Sequence, residues 1–77
     1  MARPRKDENR VIRAVILREA IAVITESGEQ AIRTKSVASA AGVTEPTLFH
    51  YFGSREGLIE EAQAERFREM QLEVFIP

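Results

Sequence analysis

Apolar residues recur at three- and four-residue steps from about Asp7 or Glu8 to Ser27, which predicts a first helix. Gly28 follows the last periodic residue and ends the pattern. The apolar residues form a wide stripe along the surface of this helix, so we expect other helices to pack on more than one side of it. Its positions are Ile12, Val15, Ile16, Glu19 or Ala20, Val23 and Ile24, and it is widened by Val11, Leu17, Ile21 and Ala22.

Two short helical segments, residues 34–41 and 44–51, lie on either side of Gly42. Gly42 can take the left-handed conformation that ends a helix, which few other residues adopt. Thr34 and Thr44 stand at the two starts, where a side-chain oxygen can accept from an unpaired amide. The order of helix, tight glycine turn and helix predicts a helix-turn-helix.

A fourth helix is predicted after Gly53, with Ser54 as its cap and Glu56 in its first turn. Glutamates occupy the opposite side of this helix from its apolar stripe. The expected stripe contains Leu58, Ile59, Ala62, Phe67, Met70 and Val74, and the glutamates are Glu60, Glu61, Glu65 and Glu69.

These elements predict an all-α fold: a homeodomain-like three-helix bundle containing the helix-turn-helix, plus the start of a fourth, connecting helix. Residues 1–7 form a basic arm, which either contacts phosphate or the minor groove or is a solvated tail. Residues 8–53 form the bundle, with Ala31 or Ile32 of the 29–33 connector directed to the core. Residues 54–77 form the fourth helix, and the apolar residues 72–76 suggest packing on a part that is absent.

Charge is distributed unevenly, although the net charge is only −1. Residues 1–18 carry six Lys or Arg and two acids, while residues 56–77 carry six acids and two arginines. Residues 33–55 have three cations and one acid. Cations thus lie on the arm and the helix-turn-helix, as expected of a DNA-facing surface. The chain has no membrane-length apolar run and no signal-peptide pattern, so we expect a cytoplasmic protein without a membrane partner.

Catalysis is a poor fit to this sequence. There is no cysteine, and His50 is the single histidine, so neither a metal set nor a nucleophile with a titratable partner is recognisable. No glycine-rich phosphate loop occurs, and a domain of 77 residues can hardly enclose a cavity as well as a core. We therefore expect no enzyme activity, no metal and no cofactor.

The start of the third helix offers the groups that read bases in a major groove. Thr47 can bond a base or a phosphate, and the Pro46 ring or the Thr47 methyl can meet a thymine methyl. Glu45 can accept from a cytosine amino group and would repel phosphates. Thr44 is first a cap and second a phosphate ligand, and both roles are compatible because backbone amides at the helix start face the anion.

Residues 41–58 read Ala-Gly-Val-Thr-Glu-Pro-Thr-Leu-Phe-His-Tyr-Phe-Gly-Ser-Arg-Glu-Gly-Leu. This stretch resembles the signature of the tetracycline-repressor (TetR) family of transcription regulators, usually Ala-Gly-Val-Ser-x-x-Thr-Leu-Tyr-x-Tyr-Phe-x-Ser-Lys-Glu-x-Leu. The similarity extends through Ala20, Gly28, Thr34 and Val37-Ala38, so it covers roughly residues 10–70. It implies the N-terminal DNA-binding domain of such a regulator.

The resemblance also implies roles for particular residues. Lys35 matches a position that reaches a base or phosphate, Arg55 matches the usual phosphate-binding lysine, and Thr34 has a phosphate role beside its capping role. His50 lies at a DNA-facing position, although a surface or half-buried role is the alternative. Phe49 replaces the usual tyrosine and lacks its phosphate-binding hydroxyl, whereas Tyr51 can still donate.

The expected function is sequence-specific binding of double-stranded DNA by the DNA-binding part of a ligand-responsive transcription regulator. Most members of the family are repressors, so we expect a repressor here. The resemblance implies a palindromic operator, a homodimer of the full-length protein and a small-molecule effector bound by a further C-terminal domain. The chain is then a truncated or partly observed regulator. The alternative is a helix-turn-helix that docks on proteins without DNA affinity. The basic arm and the polar face of the third helix favour DNA.

Overall fold

The computed structural model describes residues 6–74, with side chains described for residues 8–70. Within that range the chain forms α1 (Lys6–Ser27), a 3-10 turn (Glu29–Ala31), α2 (Thr34–Ala41), α3 (Glu45–Phe52) and α4 (Arg55–Val74). The all-α prediction is confirmed, and the helix boundaries agree with it to within about two residues. The arm predicted at residues 1–7 overlaps α1, because residues 6 and 7 are helical. Residues 1–5 of that arm, the Val74 side chain and the packing of the apolar residues 72–76 lie outside the described part.

The core lies where α1 meets the other three helices and the connector. Leu48 of α3 has no exposed surface, and Ile32 of the connector is also buried, as the sequence predicted for one of Ala31 and Ile32. Burial of such side chains is the main term that stabilises the bundle. The buried residues are Ile16, Leu17, Ala20 and Ile24 from α1, Ile32 from the connector, Val37 and Ala38 from α2, Leu48 from α3, and Leu58 and Ala62 from α4.

Two apolar stripes extend further in the sequence than burial does in the structure. Val11 is 60% exposed and Ala22 is also exposed, so the expectation that they widen a buried surface of α1 is wrong. On α4, Phe67 and Met70 are 59% and 49% exposed, unlike Leu58 and Ala62. Helical periodicity shows which residues share a face, but not whether another element covers that face.

The turn at Gly42 sets the relation between α2 and α3. Gly42 has φ 78° and ψ 25°, the predicted left-handed conformation. Its amide donates to the Ser39 carbonyl at 3.0 Å, and the Val43 amide donates to the Ala38 carbonyl at 2.9 Å. These bonds satisfy carbonyls at the end of α2 and close a helix terminus of the Schellman type.

A second glycine turn joins α3 to α4. Gly53 has φ 83° and ψ −43°, and its amide donates to the Phe49 carbonyl at 2.7 Å. The Ser54 hydroxyl accepts from the Gly57 amide at 2.9 Å, which confirms the predicted cap of α4. The chain therefore leaves α3 and begins α4 within two residues.

Arg13 of α1 contacts both α3 and α4. Its guanidinium makes an ion pair with Glu61 of α4 at 2.9 Å and lies 5.2 Å from the ring centroid of Phe52, the last residue of α3. Both charged side chains of the pair are about half exposed, so the ion pair itself contributes little. Through the ion pair and the cation–π contact, Arg13 of α1 touches both the end of α3 and the second turn of α4.

Candidate nucleic-acid interface

The first turn of α3 is built as the sequence predicted. Thr44 has an extended conformation and its hydroxyl oxygen accepts from the Thr47 amide at 3.3 Å, so Thr44 is the helix cap. The same hydroxyl donates to the Thr47 hydroxyl oxygen at 3.1 Å. Pro46 lies in the first turn, where its missing amide hydrogen is not needed. The Thr44 and Pro46 side chains are exposed.

Thr34 does not cap α2, contrary to the prediction. The residue before the helix is Arg33, which has an extended conformation, and no side chain bonds the first amides. Thr34 is instead the first helical residue, and its hydroxyl donates to the Glu45 Oε2 atom at 2.7 Å. A threonine already inside the helix can direct its side chain to a neighbouring helix. The capping prediction was one residue out of register.

The starts of α2 and α3 are therefore adjacent, and they carry most of the predicted site. Lys35 is exposed beside Thr34, whereas Glu45 and Thr47 are half-buried. Glu45 is the single acid in the sequence of the two helices, and it lies in the first turn of α3, where the helix dipole favours a negative charge. The arrangement places an exposed cation, hydroxyls and one carboxylate at neighbouring helix starts.

The later turns of α3 hold three of the predicted residues. Phe49 is half-buried and packs on the core, while His50 is exposed. The rings of His50 and Tyr51 meet edge to face, with centroids 5.1 Å apart. The Tyr51 hydroxyl donates to Asn9 Oδ1 of α1 at 2.9 Å. Asn9 was not predicted to take part, and a contact across 42 residues leaves no signal in the local sequence.

Arg55 begins α4 and is directed to the connector. Its Nε atom donates to the Ile32 carbonyl at 3.0 Å, and its Nη2 atom donates to the Glu29 carbonyl at 3.4 Å. The side chain is half-buried. The phosphate contact predicted for Arg55 stays a prediction, and the structure gives this residue a second role in holding the segment that precedes α2.

The described residues offer groups for recognition rather than for metal binding. No group of three or more His, Asp or Glu side chains among them is arranged to hold a metal ion. Across residues 6–74, none of the helices combines the length and the apolar character that a membrane span needs. The candidate site presents hydroxyl, amide, carboxylate and ammonium groups at two helix starts, with the His50 imidazole in the last turn of α3.

A comparison of the sequence with protein-family models finds a match over most of the bundle. The model described as "Bacterial regulatory proteins, tetR family" matches residues 16–62, from the middle of α1 to the buried Ala62 of α4. The matched part contains the whole helix-turn-helix. Neither the curated proteins nor the solved structures provide a match to the chain.

Proposed function

Because this chain belongs to the tetR family of bacterial regulatory proteins, a family of helix-turn-helix DNA-binding regulators, we propose that it binds double-stranded DNA sequence-specifically. In this proposal α3 lies in the major groove with its first turn against base edges. The observation that carries the proposal is the polar first turn of α3, where Thr44 and Pro46 are exposed beside Glu45 and Thr47.

The direct readout falls to three side chains in this turn. Glu45 accepts from a cytosine amino group, and the Pro46 ring or the Thr47 methyl contacts a thymine methyl. His50 follows about one turn later and is exposed, so it is available for a base or a phosphate. Contacts of this kind specify sequence, whereas phosphate contacts fix position and orientation.

The phosphate contacts fall mainly to the start of α2. No side chain caps this helix, so its first amides are available to an anion and the helix dipole favours negative charge there. Lys35 is exposed in the same turn and adds a full positive charge. Arg55 is a further candidate, and Thr44 and Tyr51 can donate to a phosphate only if their hydroxyls release Thr47 and Asn9. Phe49 offers apolar contact with the sugar-phosphate backbone.

We also propose that the regulator forms a homodimer that binds a palindromic operator and responds to a small-molecule effector, most simply as a repressor. Two recognition helices in a dimer meet half-sites separated by about 34 Å, one turn of DNA. A change in this spacing lowers affinity. The contacts of Arg13 with Phe52 and Glu61 offer a route from α4 to α3.

The experiment that tests DNA binding is an amide NMR titration of the 77-residue chain with mixed-sequence duplex DNA at low salt. NMR detects the affinity of roughly 10⁻⁴ M that non-specific binding gives. We expect shifts concentrated at residues 34–35, 44–51 and 55, and their reversal on adding salt. If those amides do not shift at near-millimolar DNA, the proposal is wrong and protein docking becomes the better explanation of this fold.

A further inference from the structure

One hydrogen bond joins the first residues of the two helices of the motif. The Thr34 hydroxyl donates to Glu45 Oε2 at 2.7 Å, and both side chains are half-buried. This inference rests on the proposed DNA binding. We propose that Thr34 is a positioning residue, which fixes the Glu45 carboxylate for base readout.

The donor count of the pair explains how this positioning works. A threonine hydroxyl has one hydrogen, and here Glu45 Oε2 receives it. The carboxylate is charged, so the bond is stronger than one between two neutral groups. The second carboxylate oxygen, Oε1, keeps its capacity to accept from outside the protein. Glu45 therefore meets DNA in an orientation that is set beforehand, rather than one selected from many rotamers on binding.

The same bond limits what Thr34 itself can do on DNA. While its only hydrogen is donated to Glu45, the hydroxyl cannot donate to a phosphate oxygen. The direct phosphate role predicted for Thr34 and the positioning role therefore exclude each other in any one state. The observed geometry favours the second role, because the hydroxyl hydrogen of Thr34 is already donated to Glu45 Oε2 in the chain without DNA.

The pair also selects among bases. A carboxylate oxygen can accept from the cytosine N4 amino group, but the O6 and N7 atoms of guanine are both acceptors and would repel it. Adenine presents its N6 donor next to the N7 acceptor, which disfavours a carboxylate at the same point. A fixed Glu45 thus discriminates for cytosine at one position of each half-site, and its discrimination depends on how firmly it is held.

The test compares Thr34→Val, which keeps the shape but removes the hydroxyl, with Thr34→Ser, which keeps the donor. Each full 77-residue chain is used to select from a random duplex library, and affinities are then measured on the selected duplex and on versions changed at the position sensitive to Glu45. We expect Thr34→Val to reduce the preference for cytosine about three- to tenfold, the factor that ordering one flexible side chain typically costs. Affinity for the altered duplexes should not change, and Thr34→Ser should retain the preference.

Glu45→Ala provides the matched control through a double-mutant cycle. Once Glu45 is removed, adding Thr34→Val should change base preference no further. A uniform loss of affinity for all duplexes in Thr34→Val would indicate a direct phosphate contact and would overturn the positioning role. The same conclusion would follow if Thr34→Val kept the full preference for cytosine.

A measurement without DNA separates this role from the proposed function. Side-chain scalar couplings of Glu45 should report one rotamer in the wild-type chain and in Thr34→Ser, and averaged rotamers in Thr34→Val. Averaged couplings in the wild-type chain would overturn the positioning role whatever the DNA result. Conversely, the wild-type chain could show a single Glu45 rotamer and yet bind no DNA. That result would overturn the proposed function, and base readout by Glu45 would be overturned with it.

Discussion

Lys35 is an exposed cation in the first turn of α2, next to amides that no side chain caps. If it neutralises a phosphate, Lys35→Ala should weaken binding to all duplexes roughly tenfold, the value of a charge-assisted hydrogen bond of about 1.5 kcal/mol. The slope of log affinity against log salt should become shallower by about 0.9. Arg18→Ala, which removes an equal charge from an exposed position of α1, is the control and should leave the slope unchanged.

Arg55 combines a predicted phosphate contact with two bonds to carbonyls of the connector. Arg55→Ala should therefore lower the free energy of unfolding by about 1–2 kcal/mol, because two carbonyls lose their donor. Arg55→Lys keeps the charge but lacks the planar fork that reaches both carbonyls. We expect it to lose most of the same stability in urea denaturation while keeping the salt slope of DNA binding. Equal stability of all three chains would contradict the bracing role of Arg55.

At the level of elements, asparagine should destabilise the two glycine turns to different extents. Gly42 lies in the left-handed region, which asparagine tolerates, and a Cβ atom there would have nothing within 4 Å. Gly53 has a positive φ with ψ −43°, outside that region. Gly42→Asn should cost less than about 1 kcal/mol, and Gly53→Asn about 1–3 kcal/mol, as measured by urea denaturation. Similar costs at both turns would show that the difference in ψ between them has no effect on stability.

The helices were predictable because their signals are local. Periodicity, glycine ends and the caps Thr44 and Ser54 all act within a few residues, and the structure has them where expected. The bond from Thr34 to Glu45 and the contacts of Arg55 join separate elements, so nothing in the local pattern indicates them. Candidate residues for the site could thus be named from the sequence, but their partners within the protein required the fold, and their contacts with DNA stay predictions.

At the scale of the whole molecule, the apolar core lies inside the bundle and the polar candidate DNA face lies at two helix starts on its surface. The buried side chains meet between α1, the connector and the other helices, and none of the described residues is a buried polar or charged one. The helix starts that carry the candidate DNA face are held on this core by Leu48 of α3 and by Val37 of α2. Substitution of an exposed group of the face, such as Lys35, should therefore change DNA binding more than stability, whereas substitution of the half-buried Arg55 should change both.

Leu48→Ala tests how much the core contributes to the stability of the whole fold. Leu48 has no exposed surface, so its truncation should cost about 3–5 kcal/mol. A chain of 77 residues has a total stability of about 4–12 kcal/mol, so this single change should remove much of it. Thermal unfolding followed by circular dichroism should show a large fall in Tm for Leu48→Ala. Phe67→Ala, at a side chain 59% exposed on α4, should cost about 0.5 kcal/mol or less. If the two variants unfolded at similar temperatures, Phe67 would have to be covered in solution, and α4 would pack differently from its arrangement here.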